Sequence, residues 1–83
     1  VEGSADLDSA AKRCAIGAFA NSGQVCISLQ RIYVDEKIYE DFAKKLGEES
    51  SKLKVGNPFE DDTFMGPLIS EEAAIRAENW INS

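Results

Sequence analysis

Cys26 is the residue best placed in this chain to do chemistry. It closes the run Gly23-Gln24-Val25-Cys26, where a helical pattern stops and an apolar, strand-like run begins. A cysteine on a tight glycine-containing turn can be held exposed at the end of an element, its own backbone N–H free to face a reacting oxygen. The chemistry would be nucleophilic. A free thiol titrates at about 8.5, so it needs a lowered pKa or a nearby base to act as thiolate at neutral pH. The chain contains no histidine, which removes any Cys–His pair within it and argues against that class of hydrolase. On composition and spacing alone, the plainer reading of Cys26 is a small buried hydrophobe at a helix–strand junction.

Other candidates carry less. Cys14 falls mid-helix on an apolar stripe and reads as core. Glu60-Asp61-Asp62 lacks the ligand alternation and closing glutamate of a calcium loop, so it reads as a solvated loop and no metal is expected. Glu71 and Glu72 suit the start of a helix. Asn21 could hydrogen-bond an oxyanion, but a helix C-terminal cap is the simpler role. Gly3 and Gly17 are isolated and form no phosphate-cradling fingerprint.

The elements that must position Cys26 follow from periodicity. Asp6 or Asp8 opens a first helix, with Leu7, Ala10, Ala11, Cys14, Ala15, Ala18 and Phe19 at three- and four-residue spacing. Its small residues suit close packing, and Asn21-Ser22-Gly23 ends it, with Gly23 free to take positive φ. Ile27 to Val34 reads as a strand. Asp35 caps a second helix striped by Ile38, Phe42 and Leu46, with Tyr39 and Ala43 beside them. A loop from Lys54 leads to Gly66-Pro67-Leu68-Ile69, extended because the residue before proline avoids the α region. Ser70 starts a third helix with Ala74, Ala77 and Ile81 inward and Trp80 alongside. The fold class expected is α/β, a fragment of a parallel-sheet domain with about three helices and one or two strands.

Composition sets the limits. The 83 residues are 43% hydrophobic and 29% charged, as in a folded segment. A chain this short buries only roughly 60–65% of its unfolded surface. The net charge of −6, with basic residues scattered, argues against nucleic acid or an anionic membrane as partner. No apolar run approaches the roughly 20 residues of a membrane span, and no signal-peptide pattern is present. The start at Val1 and the stop at Ser83 read as cut ends. Two cysteines are too few for a disulfide scaffold, which points to free thiols in a reducing, cytoplasmic compartment.

Phe19-Ala20-Asn21-Ser22-Gly23-Gln24-Val25-Cys26, with Arg31 five residues on, resembles the catalytic-cysteine motif of the aldehyde dehydrogenase superfamily. Ala5-Asp6-Leu7-Asp8 is similar to the acidic turn that opens the preceding helix there. Gly56-Asn57-Pro58 through Gly66-Pro67-Leu68-Ile69 is similar to its downstream loop. Three matches in register cover nearly the whole chain, and they overturn the buried reading of Cys26.

The resemblance implies oxidation of an aldehyde to an acid with NAD or NADP. Cys26 would add to the carbonyl carbon, its backbone N–H would steady the oxyanion, and hydride would pass to nicotinamide. The resulting thioester would be hydrolysed by water. Arg31 would be a structural ion-pair or hydrogen-bond residue. The general-base glutamate, the oxyanion side-chain amide and the cofactor-binding domain would lie outside residues 1–83. The segment would therefore be one part of a catalytic domain, inactive alone, from a parent that is a homo-oligomer. The rivals are a non-catalytic protein-interaction module using the apolar helix faces and, third, a redox-sensing thiol protein.

Overall fold

A computed structural model describes all residues, 1–83. Its order is α1 (Leu7–Phe19), a tight turn at Ala20–Gly23, a 3-10 turn at Glu36–Ile38 running into α2 (Tyr39–Ser51), and α3 (Glu71–Asn82). The start of each helix has a local cause. Asp6 is the N-cap of α1, its carboxylate accepting from the Ser9 N–H at 3.2 Å, with Asp8 in the first turn. Asp35 caps the 3-10 turn through the Lys37 N–H at 2.9 Å, so α2 begins later than its capping residue suggests. Ser70 caps α3 through the Ala73 N–H at 3.1 Å.

The core sits where α1 meets α2. Ala11 and Ala15 present almost no side-chain bulk, so α2 approaches closely and Phe42 fills the junction; these three residues alone are buried. Asp8 and Lys45 pair across the two helices, and the hydrogen bond and charge of Asp8 hold the Lys45 ammonium above the usual lysine range. Tyr39 and Ala43, expected beside the stripe, are exposed.

Two expectations are corrected. Ile27–Val34 forms no strand, and the chain contains no sheet. A strand takes its hydrogen bonds from a neighbour running alongside, and only Val1 pairs with the segment in that way: its nitrogen donates to the Tyr33 carbonyl, and its carbonyl accepts from the Asp35 N–H at 3.0 Å. That is the two-bond pattern of a parallel pair, one residue long. The other bridge, Val55 with Met65, is also parallel and isolated. Secondly, α3 packs against neither of the other helices. Of the face expected to point inward, Ala74 and Ile81 are exposed and Ala77 is half-buried, and Trp80 alongside is 82% exposed.

The chain is accordingly expanded. Its radius of gyration is 14.4 Å, against roughly 12 Å for a compact domain of this length. Ile27, Tyr33, Phe59, Ile69, Trp80 and Ile81 are all more than four-fifths exposed, which marks apolar surface awaiting cover. No helix is long and apolar enough to cross a membrane.

Lys54 to Met65 forms a closed loop. Phe64 and Met65 donate to the Lys54 carbonyl at 2.9 and 3.1 Å, and Gly56 donates to that of Met65 at 3.0 Å. The Lys54 ammonium reaches back across the loop to Glu60 at 2.7 Å and Asp62 at 2.9 Å. The hydrogen bonds that its ammonium donates to these carboxylates, Glu60 foremost, hold Lys54 above the usual lysine range. The acidic run is thus a clamp on a lysine, a pairing its sequence spacing did not reveal.

Candidate active site

Cys26 lies on the surface with a free thiol. The segment that presents it leaves α1 through three successive residues in the left-handed region: Asn21 (φ 51), Ser22 (φ 58) and Gly23 (φ 76). For glycine this region is freely allowed, for asparagine tolerable, and for serine it costs roughly 1–2 kcal/mol. Such strain persists only where surrounding bonds enforce it. Here Gln24 donates its N–H to the Asn21 carbonyl at 3.0 Å, and the Asn21 amide donates back to the Gln24 carbonyl at 3.1 Å. The Asn21 side chain is therefore committed to the turn, in keeping with a capping rather than an oxyanion role. Sequence reasoning anticipated positive φ at Gly23 only.

The next turn carries the sulfur at its tip. Ser28 donates its N–H to the Val25 carbonyl at 2.9 Å, leaving Cys26 and Ile27 at the outer corner. The Cys26 N–H makes no hydrogen bond within the chain. Thiol and amide are thus both available on one exposed residue. Cys14 instead lies half-buried on α1, and the two sulfurs are not bonded to each other.

Beyond the turn the chain folds back on the end of α1. The last carbonyls of a helix lack helical partners. Leu29 donates its N–H to that of Gly17 at 3.2 Å, and the Ser28 hydroxyl donates to that of Ala18 at 3.3 Å. The corner bearing Cys26 is thereby fastened at both ends to one rigid element. Neither Ser28 nor Leu29 stood out in the sequence, where nothing shows which carbonyls a helix end leaves open.

The remaining candidates lie elsewhere. Arg31 is exposed and its side chain joins no ion pair or hydrogen bond within residues 1–83. Glu71 and Glu72 occupy the first turn of α3, as expected. The surface clefts are lined by Val34, Glu36, Lys37 and Tyr39 to Asp41, by the apolar face of α3 with Leu68, and by the groove between Lys12 and Leu53; none includes Cys26. No wall of a substrate pocket stands beside the thiol in this chain.

A family profile described as the aldehyde dehydrogenase family matches residues 1–83. A 3-sulfolactaldehyde dehydrogenase of Priestia aryabhattai is 49% identical over 77 residues, covering 93% of this chain and 16% of that protein. A lactaldehyde dehydrogenase of Methanococcus vannielii is 48% identical over 73 residues, covering 88% of this chain and 16% of the relative. Among solved structures, an NADP-dependent enzyme of E. coli superposes with a TM-score of 0.82 at 37% identity, covering 98% of this chain and 17% of that one. The chain thus spans about one sixth of the length of the relatives it matches.

Proposed function

The chain belongs to the aldehyde dehydrogenase family, and from that premise we propose that it is the catalytic-domain segment carrying the nucleophile, Cys26, of an enzyme that oxidises an aldehyde to a carboxylic acid. One observation carries the assignment: an exposed thiol and an unpaired N–H on the same residue, at a corner fastened to the end of α1. A base supplied by the rest of the enzyme takes the Cys26 thiol proton, and the sulfur adds to the aldehyde carbon, forming a C–S bond as the carbonyl π electrons move to oxygen. The oxyanion of this thiohemiacetal accepts from the Cys26 N–H, an interaction worth several kcal/mol when preorganised. Loss of hydride from the same carbon leaves a thioester on Cys26, and water releases the acid.

The nicotinamide cofactor, NAD or NADP, supplies the hydride acceptor when bound by the rest of the enzyme. In this reading its site lies outside residues 1–83. Gly3 and Gly17 face the side chains of Asp35 and Leu29 rather than an open phosphate cradle, and Lys54 is held by carboxylates. The NADP dependence of the E. coli neighbour supports the cofactor class.

The parent is a parallel-sheet protein in which Tyr33–Asp35 continues the pairing that Val1 begins, supported by that two-bond pattern. It is a cytoplasmic homo-oligomer, a reading supported by two unpaired cysteines and by the open apolar faces. Substitution of Cys26 by alanine in the full-length enzyme tests the function. Loss of dehydrogenase activity is expected, and turnover at the wild-type rate would refute the nucleophile assignment.

A further inference from the structure

Two residues, Ser28 and Gly23, meet at one backbone oxygen. The Ala18 carbonyl, at the end of α1, accepts from the Ser28 hydroxyl at 3.3 Å. A Cβ on Gly23 would come within 3.3 Å of that oxygen and 4.0 Å of the Ser28 Oγ, so the absence of a side chain there lets the turn close over the pair. Cys26 lies between Gly23 and Ser28, and both flanks of its corner therefore register on the same atom. The oxygen belongs to the negative end of the helix, which strengthens its pull on a hydroxyl donor.

We propose that Ser28 is a positioning residue for the nucleophile. Its hydroxyl, by bonding the Ala18 carbonyl, sets the height of the Cys26 corner above α1 and so the direction of both the sulfur and the N–H. It touches no substrate and acts through Cys26, and the proposal rests on the reading of Cys26 as nucleophile. A polar side chain is needed because without the hydroxyl the Ala18 carbonyl loses this hydrogen bond. Threonine keeps the hydroxyl and alanine removes it.

The test uses the full-length enzyme and begins with Cys26→Ala. Activity retained there refutes the nucleophile reading itself. With activity abolished, Ser28→Ala is expected to lower kcat roughly tenfold with KM changed less than about twofold, as a displaced but intact reacting group does. Ser28→Thr is expected to recover most of the loss. Cys14 provides an internal reference: it lies on α1, outside the tie, so its alkylation rate stays at the wild-type value in Ser28→Ala while that of Cys26 changes. Wild-type kcat in Ser28→Ala, equal impairment of the alanine and threonine variants, or faster labelling of Cys14 in step with Cys26 would each overturn the positioning role and leave the nucleophile assignment standing.

Discussion

Leu29 lies against Gly17 at both backbone and side chain: its N–H donates to the Gly17 carbonyl at 3.2 Å, and its Cδ1 lies 3.2 Å from where a Cβ on Gly17 would sit. A glycine in the interior of a helix weakens it by about 0.5–1 kcal/mol relative to alanine, and Gly17 lies in the last turn of α1, where part of that cost applies. Gly17→Ala should therefore favour α1 while forcing Leu29, and the corner that precedes it, outward by a few tenths of an ångström. The expected outcome is a Tm that does not fall together with a several-fold loss of turnover. Parallel thermal melts and steady-state kinetics on the full-length enzyme check both signs at once.

Gly23 stands at φ 76 with the Ala18 carbonyl beneath it. Alanine there meets roughly 1–2 kcal/mol of left-handed strain and a contact of 3.3 Å. Gly23→Ala is expected to destabilise and to impair activity more than Gly17→Ala does. Denaturant unfolding with activity measured on the same samples tests the ranking.

Phe42 is the one large side chain in the buried junction of α1 and α2. Phe42→Ala should cost about 3–5 kcal/mol, as aromatic truncations in cores do. Equilibrium unfolding of the full-length enzyme would read the loss, and a change under 1 kcal/mol would show that other parts of the protein cover this site.

The Lys54 clamp has a defined pH window. Its ammonium is held above the ordinary lysine value of 10.5 by Glu60 and Asp62. A raised folded-state pKa means the stabilisation is fully present below 10.5 and is lost as pH rises through the higher folded value. Because the pair is exposed, salt should weaken it too. Limited proteolysis between Val55 and Phe64 is expected to quicken in Lys54→Met at neutral pH, and in the wild type only under strongly alkaline conditions or high salt.

The isolated 83-residue polypeptide should neither oxidise an aldehyde nor remain monomeric at high concentration. Its three buried residues make a thin core, and α3 leaves Ile81 and Trp80 open. Sedimentation at increasing concentration, with an assay for NAD(P)H formation, checks both; NAD(P)H produced by this polypeptide would refute the first.

What the sequence disclosed was governed by local bonds. Asp6, Asp35 and Ser70 announced helix starts because a cap acts within three residues. Gly23 announced its own positive φ, but Asn21 and Ser22 did not, since their geometry is imposed by the Asn21–Gln24 exchange. Ile27–Val34 has the composition of a strand without becoming one, because composition shows readiness to pair and the partner must come from elsewhere. The pattern in α3 likewise identified a face but not its cover. At the candidate site, Cys26 stands out by its motif, whereas Ser28 and Leu29 bond to helix-end carbonyls ten and twelve residues back, at Ala18 and Gly17, which no local pattern marks.

The most direct measurement is to trap the covalent intermediate. Full-length enzyme mixed with aldehyde and cofactor is quenched in acid within the first turnovers, digested, and the Cys26 and Cys14 peptides are weighed by mass spectrometry. An acyl group on Cys26, removed by hydroxylamine and absent without cofactor, is the predicted result. Acid product formed with no acyl group ever found on Cys26, or with the acyl group on Cys14, would contradict the proposal.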